Sequence, residues 1–216
     1  VLAAGAAQFP AVVELQTRLA DARWEQGDKD GAVQALKTAL QQTPSTQTRD
    51  AAQLRVALGR AYALQQQWPA AIGELKRATK LLPKDVESRV LLGESLLRAE
   101  RPKEAVAPLR QALKLDGRNR GARLLLASAY TEDGQLDAAK REYSTYLAAH
   151  SKDADALADY AALLEKQGAV AEAANGAAVT VGTLLHTAWG LALGRLTGRD
   201  DVVFGTVVSG RGADVH

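Results

Sequence analysis

Apolar and small residues recur along this chain at two nested spacings, three or four residues within short segments and 34 residues between segments. Ala71, Ala105, Ala139 and Ala173 stand at the longer step, and Leu75, Leu109 and Tyr143 follow four residues after the first three. Tyr62, Leu96, Tyr130 and Leu164 form a second column, and Leu58, Leu92, Leu126 and Tyr160 a third. The shorter spacing is one face of an α-helix, and a constant longer step marks one supersecondary unit used repeatedly. The pattern therefore predicts an all-α solenoid of antiparallel helix pairs. Gly59, Gly93, Ala127 and Ala161 form a column of small residues, where the two helices of each unit are expected to cross closely.

The first unit keeps the pattern with one irregularity. Ala32, Leu36 and Ala39 match Ala71, Leu75 and Ala78 at a step of 39, and the five extra residues fall in the polar stretch Ser45 to Asp50, after Pro44. A longer loop between units costs little chain entropy. Gly27, Gly134 and Gly168 stand where a unit's first helix should end, a place for left-handed backbone. Pro44 and Pro83 close second helices, with Gly117 and Ser151 in that place later. Pro102 suits a helix start, and Pro108 is expected to bend the second helix that contains it.

These columns at one period resemble those of the tetratricopeptide repeat family over about residues 11–174. The units read as about 13–46, 52–85, 86–119, 120–153 and 154–174, with residues 1–10 the end of a preceding repeat, since Pro10 lies 34 residues before Pro44. The resemblance implies a right-handed superhelix whose first helices line a concave groove for a peptide or partner helix. Carried over residue by residue, that groove holds Glu14, Thr17, Asp21, Trp24 and Glu25, then Gln53, Val56, Arg60, Ala63 and Leu64. It continues through Glu87, Val90, Glu94, Leu97 and Arg98 to Leu124, Ser128, Thr131 and Glu132. Family members that clamp a C-terminal carboxylate use Lys and Asn on this face, and neither is present here. The groove is instead mixed, with Val56, Leu64, Val90 and Leu97 as apolar anchors and Asp21, Arg60, Glu94 and Arg98 to fix register. Val56, Val90 and Leu124 have an alternative use as packing between neighbouring helices, and Trp24 as a core-filling aromatic beside the turn.

Composition narrows the chemistry further. Hydrophobic residues make up 47% of the chain and aromatics only 5%, so the core has to be built from Ala, Leu and Val, which pack helices closely. Twenty-seven basic against 25 acidic residues, spread along the chain, leave no block of like charge to attract nucleic acid. Lys37, Lys76, Arg77, Arg110, Lys114 and Lys140 read as a solvated convex face. With no Cys and three scattered His, there is no thiol chemistry and no metal-ligand spacing, so no cofactor or metal is expected. No nucleophile with its base and no phosphate-cradling loop stands in the repeats, which argues against an enzyme. The lack of any Met, and of a basic leader before Leu2-Ala3-Ala4, suggests a processed or excised piece rather than a secretory precursor.

The pattern breaks at Asn175-Gly176. Beyond it Val181, Leu184, Leu185, Ala188, Trp189, Ala192, Leu193 and Leu196 have helical spacing, Gly198 to Asp201 reads as a turn, and Val202 to Val208 as a buried strand. The run AWGLALGRLTGRDDVVFGTVVSGR resembles the condensation domain of nonribosomal peptide synthetases, over residues 176–215. Gly212 departs from the Pro usual in that family. The resemblance implies an acyl-transfer parent, but the family's His-His-x-x-x-Asp-Gly motif is matched by none of His150, His186 and His216. Ala177 to Gly194 carries no charge, yet at 18 residues with His186 and three Gly it argues against a membrane span. Residues 176–216 are thus expected to be a chimeric tail, its helix packing on the open end of the fifth unit and its apolar strand a route to oligomers.

The expected function is a non-catalytic scaffold that binds a protein or peptide in the groove, through Asp21, Trp24, Arg60, Leu64, Glu94, Leu97, Arg98, Ser128 and Thr131. The alternative is a truncated or chimeric piece of a condensation enzyme without its catalytic motif.

Overall fold

The computed structural model describes residues 13–44 and 46–167. Within them the chain forms α1 (Val13–Glu25), α2 (Lys29–Gln42), α3 (Thr48–Leu64), α4 (Trp68–Leu81), α5 (Val86–Arg98), α6 (Pro102–Leu115), α7 (Arg120–Glu132), α8 (Leu136–Ala149) and α9 (Ala154–Gln167). No strand occurs among the described residues. The all-α architecture of helix pairs expected from the sequence is the one adopted. The expected tail helix and strand, the stretch 177–194, Gly168 and residues 1–10 lie outside the described residues. The chain divides into two compact units, Val1–Glu142 and Tyr143–His216.

In the first unit the apolar columns become the core. Ala71 and Ala105, Leu75 and Leu109, and Ala78 and Ala112 are wholly buried, as are Ala32, Leu36 and Ala39 at the offset step. Burying each Leu here contributes about 2 kcal/mol. The small-residue column has the role expected of it. A Cβ on Gly59 would lie 2.7 Å from Leu75 Cγ, and one on Gly93 2.4 Å from Leu109 Cγ. Only a hydrogen at these positions lets the paired helices seat the leucine of the opposite helix.

The turns within pairs repeat one hydrogen-bond pattern. Gly27, Gln66, Glu100 and Gly134 all have left-handed backbone, with φ of 83°, 59°, 57° and 77°. The following residue donates its N–H to a carbonyl near the end of the first helix: Asp28 to Arg23, Gln67 to Tyr62, Arg101 to Leu96 and Gln135 to Tyr130, at 2.8–2.9 Å. Glycine at 27 and 134 signals this turn in the sequence, whereas Gln66 and Glu100 adopt it against their own preference.

Helix starts repeat as well. Asp85 and Asn119 accept the N–H of Ser88 at 2.8 Å and of Ala122 at 2.9 Å, and Asp28 accepts that of Gly31 at 2.9 Å. An arginine column at the same period joins first helices to what surrounds them. Arg55 on α3 donates to Glu74 on α4 at 2.6 Å, and Arg123 on α7 to Glu142 on α8 at 2.9 Å. Arg89 is the equivalent on α5, but the residue at the carboxylate's place on α6 is Pro108. Arg89 instead donates to the carbonyl of Pro83, as Arg123 also does to that of Gly117. Pro108 sits inside a helix that runs unbroken from Pro102 to Leu115.

Successive first helices touch one another, α1 with α3, α3 with α5 and α5 with α7. Second helices α4 and α6 are linked at the surface by long side chains, Lys76 Nζ lying 3.2 Å from Glu104. First helices therefore form one continuous row within this unit.

In the second compact unit, the described residues are those up to Gln167. Tyr143 and Tyr160 pack with ring centroids 5.9 Å apart, and Tyr146 donates its hydroxyl to Asp153 at 2.6 Å. Asp153 also accepts the N–H of Ala156 at 3.2 Å, which places the Asx cap of α9 one step after Asn119. Tyr143 and Tyr146 are buried here, and Tyr130 is buried in the first unit, so the periodic Tyr130 and Tyr143 are packing residues, as expected. Tyr62 is half-buried, with Lys37 Nζ 5.6 Å from its ring centroid.

Candidate functional site

A cavity of about 760 Å³ opens on the row of first helices, lined mainly from α1, α3 and the start of α5, with Ala32 and Leu36 of α2 and with Leu82 and Asp85 of the connection before α5. It lies where the repeat step lengthens from 34 to 39. The extra residues add a turn to the start of α3, which has 17 residues where α1, α5 and α7 have 13. That added turn carries Arg49, which stands among the lining residues.

Four of the nominated residues come together here: Asp21, Trp24, Arg60 and Leu64. Glu14, Thr17, Glu25, Gln53, Val56 and Glu87 join them. Leu64 is 58% exposed, unusual for a large apolar side chain at a helix end. Trp24 stands at the boundary between core and cavity. It is half-buried against the cluster of Ala20, Leu36, Leu58 and their neighbours, and it also lines the cavity. Val56 likewise is half-buried and lines it. Lys29 Nζ stands 5.5 Å from the centroid of the Trp24 ring.

The charges are unevenly distributed. Five carboxylates line the cavity (Glu14, Asp21, Glu25, Asp85 and Glu87) against two guanidinium groups, Arg49 and Arg60. Arg60 pairs with Glu87, tying α3 to α5, and Glu14 pairs with Arg18 at 2.8 Å one turn along α1. Asp85 is spent on the α5 cap. Asp21 and Glu25 have no ion-pair partner among the described residues, and both are exposed.

Glu94, Leu97, Arg98, Ser128 and Thr131 do not line this cavity. They lie further along the row, on α5 and α7. Ser128 donates to Glu132 at 3.0 Å, and Thr131 donates to the carbonyl of Ala127 at 2.9 Å, both within α7. Sequence reasoning missed Arg49, Leu82 and Asp85. Arg49 belongs to the turn added to α3, and Leu82 and Asp85 to the connection between α4 and α5, places that the helical period does not specify. Among the described residues no cluster of His, Asp and Glu could hold a metal ion, and no helix is long and apolar enough to cross a membrane.

Comparison with known proteins bears on both parts of the chain. Tetratricopeptide repeat models match residues 1–46, 17–86 and 56–122, and a second such model matches 96–155. Among solved structures, MamA superposes with a TM-score of 0.70 at 21% identity, covering 82% of this chain and 96% of that one. The protein YrrB, described as a TPR protein with an unusual peptide-binding site, gives 0.71 at 16% identity, covering 91% and 94%. At these identities the likeness is one of fold. Curated relatives are of another kind. A mycosubtilin synthase of Bacillus subtilis is 37% identical over 125 residues, 56% of this chain but 5% of that protein. Bacitracin synthase 3 of Bacillus licheniformis is 65% identical over 37 residues, 17% of this chain and 1% of that protein. The chain thus spans at most about a twentieth of these synthetases. These partial matches support the resemblance to a nonribosomal peptide synthetase fragment. With its repeat models covering more than half of its length, the chain belongs to the tetratricopeptide repeat family.

Proposed function

We propose that this chain is a non-catalytic protein-interaction scaffold that receives a segment of a partner protein along its row of first helices. The observation that carries this reading is the cavity over α1, α3 and α5, where Trp24, Val56 and Leu64 offer apolar surface beside ionic groups. Desolvating such anchors supplies affinity, and the surrounding charges fix orientation. Asp21, Trp24, Arg60 and Leu64 form the first contact region. Glu94, Leu97, Arg98, Ser128 and Thr131 extend it along α5 and α7 for a longer segment. A peptide-binding site in the similarly folded YrrB is consistent with this use of the architecture.

The test compares proteins captured by the full chain with those captured by its Leu64→Ser and Leu97→Ser variants. Loss of the same partner from both variants is expected. Retention of every partner by both rejects the groove.

A second reading rests on the synthetase matches: the chain is a piece, natural or chimeric, of a protein containing a condensation-type domain. In that reading the repeats hold or deliver a component to the larger assembly, and catalysis needs the His-rich motif from elsewhere. Sequencing the encoding gene across Ala173 to Val181 tests it. One continuous frame in a single genome excludes a chimera.

A further inference from the structure

We infer that the segment received by the cavity over α1, α3 and α5 is cationic and amphipathic, with Lys or Arg beside its apolar anchors. This inference rests on the groove reading above and specifies the partner's chemistry.

The chain as a whole has a formal charge of +2, yet five carboxylates line this cavity against two guanidinium groups. The local balance is therefore opposite in sign to that of the molecule. Within that balance the carboxylates are not equally committed. Glu87 is held by Arg60, Glu14 by Arg18, and Asp85 by the N-terminus of α5. Asp21 and Glu25 remain, and they bracket Trp24 on α1. Residues 21 and 25 are one helical turn apart, so their carboxylates stand on the same face with the indole between them in sequence.

The indole provides a second, independent pointer to a cation. Lys29 Nζ already stands 5.5 Å from its centroid, so this ring is a site at which an ammonium group settles. An incoming Lys or Arg would take the place of Lys29 on this aromatic surface and gain two carboxylates that have no ion-pair partner among the described residues. Its apolar neighbours would rest on Val56 and Leu64, the latter largely exposed. An anionic segment would meet Asp21 and Glu25 without compensation, and like charges brought together at an interface are costly.

The experiment titrates the full chain, by calorimetry, with two synthetic amphipathic peptides that share one leucine pattern and carry either Lys or Glu at every polar position. The Lys peptide is expected to bind about tenfold more tightly or better. The preference should shrink as salt rises. It should be lost or reversed in the Asp21→Lys/Glu25→Lys variant, whose changes fall on exposed positions and whose helicity is checked by circular dichroism. Equal binding of both peptides, preference for the Glu peptide, failure of the Lys peptide to bind, or an unchanged preference in the double variant would each overturn the inference.

A Leu64→Ser arm separates this failure from failure of the groove reading. If both peptides bind equally and Leu64→Ser weakens both, the groove stands and only the charge assignment falls. If Leu64→Ser leaves all binding intact, the site itself is wrong and both readings fall together.

Discussion

The pair α3 and α4 and the pair α5 and α6 are successive copies of one design that differ in how they treat a partly buried arginine. Both cross at a glycine facing a buried leucine, and both turn through a non-glycine residue with left-handed backbone. In the first pair Arg55 meets Glu74 at 2.6 Å. In the second, Arg89 is the more deeply buried of the two arginines, and Pro108 stands where its carboxylate would be. The backbone positions of the repeat are nonetheless kept, with the same turn bonds and the same wholly buried alanines and leucines. The difference teaches that the apolar and small-residue columns set the repeat, while the ion pair decorates it. A partly buried pair contributes little net stability once desolvation is counted, so a repeat can lose it and keep its fold.

The sharpest way to break this comparison is to give the second pair what it lacks. Pro108→Glu restores an i to i−4 hydrogen bond within α6 and offers Arg89 a carboxylate, and should raise stability by about 3 kcal/mol. Urea unfolding followed by circular dichroism would measure it. No gain would mean that the packing around Leu109 depends on the helix as proline shapes it.

The converse change strips the first pair. Glu74→Ala removes the partner of both Arg55 and Arg77 and leaves Arg55 half-buried without its carboxylate. A loss of about 1–2 kcal/mol is expected in the same assay, the pair being partly open to solvent. A loss below that of an ordinary surface substitution would show that even the paired arginine is dispensable.

A smaller effect probes what the two pairs share. Gln66→Gly and Glu100→Gly should each stabilise by about 1 kcal/mol by relieving left-handed backbone at a residue with a Cβ. Thermal melts of the two variants beside Gly27→Ala, which should move the other way, would sharpen the account of the turn. A fall in melting temperature on introducing glycine would reject it.

The smallest expected effect lies at the surface between these pairs. Glu104 accepts from Arg101 at 2.8 Å and from Lys76 at 3.2 Å, and these hydrogen bonds, Arg101 first, hold its carboxyl below the ordinary carboxylate range. A depressed folded pKa means that its contribution is present above the unfolded value of about 4.3 and is lost as pH falls through the folded one. Glu104→Gln should therefore flatten the acid limb of the stability curve slightly and leave low-pH stability unchanged. Acid titration of both proteins checks this, and identical curves throughout would remove Glu104 from the account.

Much of this molecule is legible in its sequence because burial acts on single positions at a fixed period. The columns through Ala71, Leu75 and Gly59 name the core, the crossing and the pairing without further information, since each position meets the same neighbours in every unit. The turns at Gly27 and Gly134 follow from residue type alone. Legibility fails where the chemistry of a position is set by another part of the chain. Nothing local marks Gln66 and Glu100 as left-handed, because the helices on either side impose that conformation. Nor does any local feature separate Trp24 the core residue from Trp24 the cavity wall, because one ring does both.

The candidate site divides along the same line. The resemblance to the tetratricopeptide repeat family nominated Asp21, Trp24, Arg60 and Leu64 on first helices, where i, i+3 and i+4 positions share a face. Which first-helix residues enclose a cavity, and which merely follow one another along α5 and α7, was decided by tertiary structure. The five-residue lengthening between the first two units adds a turn to α3 and brings Arg49 to the rim, while Leu82 and Asp85 reach it from the connection between α4 and α5. Tertiary structure also settled which carboxylates are already engaged. Sequence counts charges, but only the distances between side chains determine which are neutralised by a neighbour and which stand without an ion-pair partner among the described residues.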